Sequence, residues 1–230
     1  MAVTLDVARD RATEPWAPEI RAVLNAGWAG RDAALVRAHV DEMRALGVPA
    51  PTEVPILFPV ARLMLTQGND VEIYTPESSG EVEYVLIATP DRVVITVGSD
   101  HTDRKVEPLS IEISKRLCPN VMARTAWDYA DVAEHVDDLV LRAWVRDGGR
   151  WHPYQEAVVG TLLPPAYWLD RLGRPAGAVV LFSGTIPTGG GALRYGDGFR
   201  VSLEDPHRRR TITHEYDVAL IEAPVRRSDR

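Results

Sequence analysis

Three acidic residues stand at spacings that could build a metal site. Glu81 and Glu83 lie one residue apart in a short apolar run, residues 79–87, which predicts a β-strand. Successive side chains of a strand alternate between its faces, so Glu81 and Glu83 would point the same way. A second β-branched run, residues 92–98, ends just before Asp100. If the two runs pair in one sheet, Asp100 completes a three-carboxylate cluster, which suits a hard divalent cation such as Mg²⁺ or Mn²⁺.

A plainer interpretation of the same pattern stays open. Asp and Glu are mostly exposed, and a Glu-x-Glu pair on a strand is more often a solvated acidic face than a pair of ligands. His101 directly follows Asp100 and is a candidate general acid or base, with an imidazole directed into the fold as the alternative. The rest of the chain must decide between these interpretations.

The composition excludes several classes of protein. Of the 230 residues, 45% are hydrophobic and 26% are charged, which is ordinary for a globular protein. The formal net charge of -7 argues against nucleic acid as a partner, because phosphate backbones are bound by basic patches. No apolar run is long enough to span a membrane, and the N-terminus lacks the core of a signal peptide. The single cysteine, Cys118, permits no intramolecular disulfide and favours a reducing compartment, so we expect a cytoplasmic protein.

The hydrophobic spacing predicts many strands and few helices. Helices are predicted at residues 17–26, 31–46 (with Gly47 as the stop), 110–116, 126–135 and 164–172. Strands are predicted at residues 70–74, 80–88, 92–97, 139–146, 151–157, 178–183, 200–204 and 212–220. The predicted class is α+β, mainly β. We expect an N-terminal arm, helix and extended connection over residues 1–75 and a core over residues 76–230, in one compact domain.

Several stretches, in order, resemble the fumarylacetoacetate hydrolase (FAH) superfamily. GEVEYVLI at 80–87 resembles its metal-ligand strand, D-x-E-x-E-L-x-x-V, and GSDHTDR at 98–104 resembles its N-D-x-S-x-R-D segment. SKRLCP at 114–119 looks like a shortened G-K-x-x-D-x-x-x-P stretch. FSGTIPTGG at 182–190 resembles the T-G-T-P-x-G loop, and YGD at 195–197 falls at the L-x-x-G-D turn. The resemblance implies a fold of mixed, rolled β-sheets with peripheral helices.

The resemblance also implies roles for particular residues. Glu81, Glu83 and Asp100 would hold Mg²⁺ or Mn²⁺. Lys115 would face the substrate as a catalytic group, with a solvated lysine at a helix end as the alternative. Arg104 would orient a ligand carboxylate or bind substrate. The substrate carboxylate would meet Gly184 and Thr185, and Thr185 would offer its hydroxyl and backbone N–H.

The chain departs from the superfamily pattern at two places. Lys105 stands where the pattern has an aspartate, and no N-terminal His and Glu pair, the general base of many hydrolytic members, is recognisable. We read His39 as a residue on the polar surface of its helix. Members are commonly homodimers, and the resemblance implies the same here.

Three functions follow as hypotheses. The first is a metal-dependent hydrolase that cleaves a carbon–carbon bond of a small acylpyruvate-like 2-oxo acid through a metal-stabilised enolate. The second is a decarboxylase, isomerase or hydratase that uses the same site. The third is a non-catalytic domain that binds a small molecule.

Overall fold

The fold was analysed in a computed structural model, which describes residues 3–9, 12–45, 51, 53–173 and 175–222. It contains three α-helices among these residues: α1 Ala33–Ala45, α2 Ile111–Ser114 and α3 Pro165–Leu172. The strands are β1 Leu5–Arg9, β2 Ala12–Trp16, β3 Ile20–Gly27, β4 Ile56–Val60, β5 Leu65–Thr66, β6 Asp70–Ile73, β7 Ser78–Ser79, β8 Val82–Ala88, β9 Val93–Asp100, β10 Thr102–Asp103, β11 Asn120–Met122, β12 Thr125–Asp128, β13 Val140–Asp147, β14 Arg150–Val158, β15 Ala178–Phe182, β16 Gly198–Asp205 and β17 Arg210–Leu220.

The larger sheet places β8 at its centre. Its strand order is β2-β1-β12-β9-β8-β15-β3-β4, and β11 pairs with both β9 and β5. β8 runs antiparallel to β9 and β15, while β3 runs parallel to β15. The seven residues of β8 are all buried, so both faces of this strand are covered.

The smaller sheet, in the order β14-β13-β16-β17-β6, packs against one face of the larger sheet. The main core lies between them: Tyr84 and Leu86 of β8 share it with Leu141, Leu203 and Tyr216. A second core contains Val85, Ile87 and other side chains that come from strands of the larger sheet. Because one sheet supplies this second core, the sheet must curl around it. The predicted fold class, mainly β with mixed sheets, is confirmed.

Most predicted elements are present, with shifts of a few residues. The hairpin at Gly148 and Gly149 joins β13 to β14, and β9 extends beyond the predicted Val97 to Asp100. α1 is the predicted helix over residues 31–46, although its predicted stop at Gly47 lies outside the described residues. None of the helices in the described part of the chain is long and apolar enough to cross a membrane.

Two predicted helices are wrong. Residues 17–26 form most of β3 instead. This segment pairs with β15 on one side and with β4 on the other, and it buries Ile20, Val23 and Ala26. Residues 126–135 begin in β12 and continue as short 3-10 turns. Short apolar runs do not distinguish helix from strand, and tertiary pairing decides.

Described residues up to 75, predicted as the N-terminal arm, helix and extended connection, share both sheets with the rest of the chain. β1, β3 and β4 extend the larger sheet, and β6 pairs in parallel with β17 in the smaller one. This arrangement brings the segment that follows β3 close to the N-terminal end of β8.

Candidate metal centre and cavity

The ends of two neighbouring strands bring three carboxylates together. Asp100, the last residue of β9, donates its backbone N–H to the carbonyl of Glu81 at 3.1 Å, just before β8 begins. Glu83 lies two residues further on, on the same face of the strand. Oxygen atoms of Glu81, Glu83 and Asp100 lie within 4.8 Å of one another, and all three residues are buried. The structure thus juxtaposes the three residues that the sequence indicated as ligands.

Lys115 supplies a positive charge inside this cluster. It caps the C-terminal end of α2, whose N-terminus is capped by the side chain of Ser110. Its Nζ donates to Glu81 Oε2 at 2.8 Å and to Asp100 Oδ2 at 2.5 Å. Lys115 is therefore a buried partner of the carboxylates and not a solvated lysine.

Arg104 holds Glu81 from the other side. Its Nη2 donates to Glu81 Oε1 at 2.8 Å, its Nε to Ser79 Oγ at 2.7 Å, and its Nη1 to both oxygens of Glu107. The guanidinium does not line the cavity described below. Of the two roles expected for Arg104, its placement favours orienting a carboxylate over binding substrate.

Glu83 is only half satisfied. Its Oε2 accepts a hydrogen bond from the backbone N–H of Gly184 at 2.9 Å, while its Oε1 is buried and has no partner among the described residues. Gly184 has a φ of +84°, and a Cβ there would lie 2.9 Å from the Cβ of Ala29. A glycine thus fits this turn, and its amide serves Glu83 as well as lining the cavity.

The cluster carries an excess of negative charge. Four carboxylates, those of Glu81, Glu83, Asp100 and Glu107, face the two cations Lys115 and Arg104.

The pKa values express this imbalance. Burial and the neighbouring Asp100 raise the pKa of Glu83 well above its usual value. Burial also raises the pKa of Asp100, to about 6, although Lys115 opposes the shift. For Glu81 burial is outweighed by Lys115 and Arg104, which lower its pKa to about 2. An unpartnered oxygen in an over-negative pocket of carboxylates fits a hard divalent cation.

A cavity of about 480 Å³ opens above the cluster. Its floor contains Glu81, Lys115, Gly184 and Thr185. Its walls come from the β3–α1 segment, the start of α2 and the loops near Leu162 and Pro187. This volume is typical of a small-molecule site.

His101 is not placed for the expected role of general acid or base. Its Nδ1 lies 3.0 Å from the hydroxyl of Tyr216 and its Nε2 lies 2.9 Å from Ser78 Oγ. The ring packs edge-on against Phe199 and does not line the cavity. Burial, aided by Arg104, lowers the pKa of His101 to about 3. The neutral imidazole is a packing group between the sheets, which was the alternative interpretation.

Thr185 lines the cavity, but its hydroxyl is already engaged. Its Oγ1 donates to the carbonyl of Val82 at 3.0 Å and accepts from Gln155 Nε2 at 2.9 Å. Gln155 also accepts from the backbone N–H of Val82 and donates to the carbonyl of Ile186. Gln155 therefore fixes the 184–186 loop to β8, a role that the sequence analysis missed. A substrate contact of Thr185 stays a prediction.

Two buried asparagines behind Asp100 were also missed. Asn120 Nδ2 donates to Asn25 Oδ1 at 2.8 Å and lies 3.5 Å from Asp100 Oδ1. In the sheet, Asn120 pairs directly with Asp100. The available signal was an amide within the apolar run around Asn25, since a buried polar side chain needs a partner.

A histidine and a glutamate on α1 stand at the mouth of the cavity. His39, expected on the polar surface, lines the cavity, and its ring lies 5.1 Å from that of Trp28. Its Nδ1 is 3.5 Å from Glu42 Oε2, and the His39 side chain is 58% exposed. Both side chains are exposed to solvent, and His39 also lines the cavity.

The family model described as "Protein of unknown function (DUF2848)" matches residues 26–216, and the chain belongs to this family. No curated protein matches the sequence significantly.

Solved structures share the fold at low sequence identity. The crystal structure of Cg1458 has a TM-score of 0.60 and 13% identity, and the match covers 94% of this chain and 85% of that chain. 2-Keto-3-deoxy-D-arabinonate dehydratase complexed with magnesium and 2,5-dioxopentanoate has a TM-score of 0.60 and 14% identity, with 91% and 77% covered. 4-Oxalocrotonate decarboxylase from Pseudomonas putida G7, complexed with calcium and acetate, has a TM-score of 0.54 and 14% identity, with 89% and 78% covered.

Proposed function

We propose that this protein is a divergent member of the FAH superfamily and a divalent-metal-dependent enzyme that acts on a small 2-oxo acid. The observation that carries the proposal is the buried cluster of Glu81, Glu83 and Asp100, in which Glu83 Oε1 has no partner among the described residues and Glu81 lines a cavity. Carboxylate oxygens suit Mg²⁺ or Mn²⁺. Two structures that share the fold are complexes with magnesium and with calcium, which supports a metal at this fold's site.

Each residue of the site would have a distinct role. Glu81, Glu83 and Asp100 would hold the cation, which when bound supplies a Lewis acid for the adjacent carboxylate and carbonyl oxygens of a 2-oxo acid and for its enolate. Lys115 keeps a positive charge beside those oxygens, because burial tends to lower its pKa but the three carboxylates raise it. Arg104, Asn120 and the Gly184 amide hold the carboxylates in place.

For the reaction we put hydrolysis of a carbon–carbon bond in an acylpyruvate-like compound first. Water adds to the distal acyl carbonyl, the bond to the adjacent methylene breaks, and the pyruvate enolate takes up a proton. This reaction needs a base for the water. His39, which lines the cavity and lies 3.5 Å from Glu42, is the candidate, since an imidazole can accept that proton.

The second candidate is decarboxylation or another lyase reaction of a 2-oxo acid, including hydration or isomerisation. Two structures with this fold are a dehydratase and a decarboxylase, which favours this alternative. Decarboxylation requires the enolate to be stabilised but requires no activated water, so His39 would be dispensable for it.

Calorimetry tests the metal site. We expect Mg²⁺ and Mn²⁺ to bind the wild type, oxalate to tighten that binding as an enolate mimic, and Glu83→Gln to lose it. Glu72→Gln, on the exposed side of β6, is the matched control. Absence of metal binding by the wild type would refute the proposal, and metal binding without any effect of oxalate or turnover would favour a non-catalytic binding domain.

Turnover assays then separate the two reactions. With acylpyruvates and oxaloacetate as substrates, His39→Gln is expected to abolish hydrolysis and to leave metal and oxalate binding intact. Hydrolysis that survives in His39→Gln would exclude this residue as the base. Decarboxylation at the wild-type rate in the variant would move the assignment to the lyase.

Three further expectations stay predictions. Cys118 is buried, which suits the predicted cytoplasmic location. A homodimer and the absence of a nucleic-acid partner are retained from the sequence, and size-exclusion chromatography with light scattering tests the first of them.

A further inference from the structure

We propose that the substrate of this site is a 2-oxo acid with an apolar tail, an aliphatic or aromatic group without a second carboxylate. The inference rests on the proposed function, because it concerns the part of the cavity beyond the metal cluster. It follows from the walls of the cavity, which are mainly apolar, whereas the floor carries charged residues.

The wall residues are mainly apolar. Those that face the cavity away from the cluster include Trp28, Leu35, Val36, Met43, Ile111, Leu162 and Pro187. The acidic groups of the wall already have partners: Glu107 accepts two hydrogen bonds from Arg104, and Asp32 accepts those of the Ala34 and Leu35 amides at the start of α1. A ligand that extends from the floor therefore meets hydrocarbon.

The apolar stripe of α1 supports the same conclusion. Val36, Val40 and Met43 recur at helical spacing, which usually marks a face packed against a core. Only Val40 is buried in this helix, whereas Val36 and Met43 line the cavity and Leu35 is 70% exposed. The apolar face of α1 looks into the cavity, and an apolar tail would cover it.

A second carboxylate would find no partner there. Among the described residues that line the cavity, Lys115 is the sole lysine and no arginine is present. Lys115 is itself bound by Glu81 and Asp100. His39 lies at the mouth, 3.5 Å from Glu42, whose carboxylate competes with a substrate carboxylate for the imidazole. Burying an unpaired carboxylate against hydrocarbon is strongly unfavourable.

Substituted oxamates test this inference, because an oxamate presents the same adjacent carboxylate and carbonyl oxygens as a 2-oxo acid. We would measure binding of oxamate, N-butyl, N-hexyl and N-(5-carboxypentyl) oxamate to the Mn²⁺-loaded protein. N-hexyl oxamate is expected to bind about tenfold more tightly than N-butyl oxamate, from two further buried methylenes. The carboxypentyl compound, matched in length, is expected to bind about tenfold or more weakly than the hexyl compound.

A variant with a cation in the wall provides the converse test. Leu35→Arg is expected to tighten the carboxypentyl oxamate and to weaken the hexyl compound. Leu63→Arg, at a 90% exposed leucine outside the cavity, is the matched control and is expected to change neither.

The outcomes separate this inference from the proposed function. One outcome would refute the inference of an apolar tail and still support the metal site. In that outcome oxalate and oxamate bind only with metal, and the wild type binds hexyl and carboxypentyl oxamate with equal affinity. Failure of oxalate and oxamate to bind with metal would overturn the proposed function itself.

Discussion

Replacing Glu83 by glutamine should stabilise the metal-free protein while abolishing its response to metal. The carboxyl lies in the buried cluster, within 4.8 Å of two other acids, and one of its oxygens has no partner among the described residues. Glutamine keeps the acceptor for the Gly184 amide and turns the unpartnered oxygen into an N–H₂ group that can donate to the neighbouring carboxylates. The substitution removes an ionisable acid from an over-negative cluster.

The size of the effect can be bounded. Two unit charges 4.8 Å apart repel by about 3.5 kcal/mol at an effective dielectric constant of about 20. The raised pKa of Glu83 lets protonation relieve this repulsion. Protonating an ordinary glutamate at pH 7.5 costs about 4 kcal/mol, which is the upper limit of the gain. Because Lys115 offsets part of the repulsion, we expect Glu83→Gln to gain about 1–3 kcal/mol. For a protein of this size that is a rise in Tm of about 2–12 °C.

Thermal melts of protein stripped with EDTA, with and without Mn²⁺, measure both effects. Mn²⁺ at about 100 times its Kd should stabilise the wild type by about 2.7 kcal/mol and leave the variant unchanged. Glu72→Gln should match the wild type in both conditions, since Glu72 is exposed on β6. A metal-free variant less stable than the wild type, or one stabilised by Mn²⁺ as strongly, would refute this account of the cluster.

Three more outcomes follow from the geometry. Lys115→Met should destabilise the metal-free protein by about 3–5 kcal/mol, because it leaves buried carboxylates unpaired, and Mn²⁺ should restore part of the loss in urea unfolding. Mn²⁺ affinity should fall on acidification by about tenfold per pH unit for each carboxyl that must give up a proton, and most steeply below about pH 6, because protons compete with metal for carboxyls whose pKa is raised, Glu83 upward and Asp100 to about 6; calorimetry in buffers of differing ionisation enthalpy measures the protons released. Gly98→Ala should lower the Tm by an amount equivalent to about 1–3 kcal/mol, since a Cβ there would lie 2.6 Å from the carbonyl oxygen of Val121.

Matched variants make these results decisive. Lys105→Met removes an exposed lysine and should leave stability near that of the wild type. Gly189→Ala adds a methyl group at an ordinary 3.4 Å contact and should cost little. Three results would contradict the corresponding arguments. They are a Lys115→Met variant as stable as Lys105→Met, a metal affinity that does not change with pH, and a Gly98→Ala variant as stable as Gly189→Ala.

The sequence was informative where a local rule decides the structure. Glu81, Glu83 and Asp100 could be grouped because alternation along a strand and pairing with its neighbour are short-range properties. The hairpin at Gly148 and Gly149 depends on turn residues that are equally local.

The sequence was misleading where distant partners decide. The segment at 17–26 has a helical pattern, yet it pairs with β15 from the other end of the chain. The orientation of His101 depends on Tyr216 and Ser78, which no spacing rule connects to it. The position of His39 beside the cavity likewise depends on how β3 places α1 near the N-terminal end of β8. A residue predicted on the helix surface therefore lines the cavity.

The parallel pairing of β3 with β15 also constrains how the protein is made. β3 leaves the ribosome well before β15 and the 184–186 loop, and Ile20 must wait for Ala178. During that interval the apolar edge of β3 has no β15 to pair with, a state prone to association with other chains. Pairings between distant segments are also slow to form. The pocket can therefore be completed only after β15 and the 184–186 loop have been synthesised, and its assembly depends on protection of β3 until then.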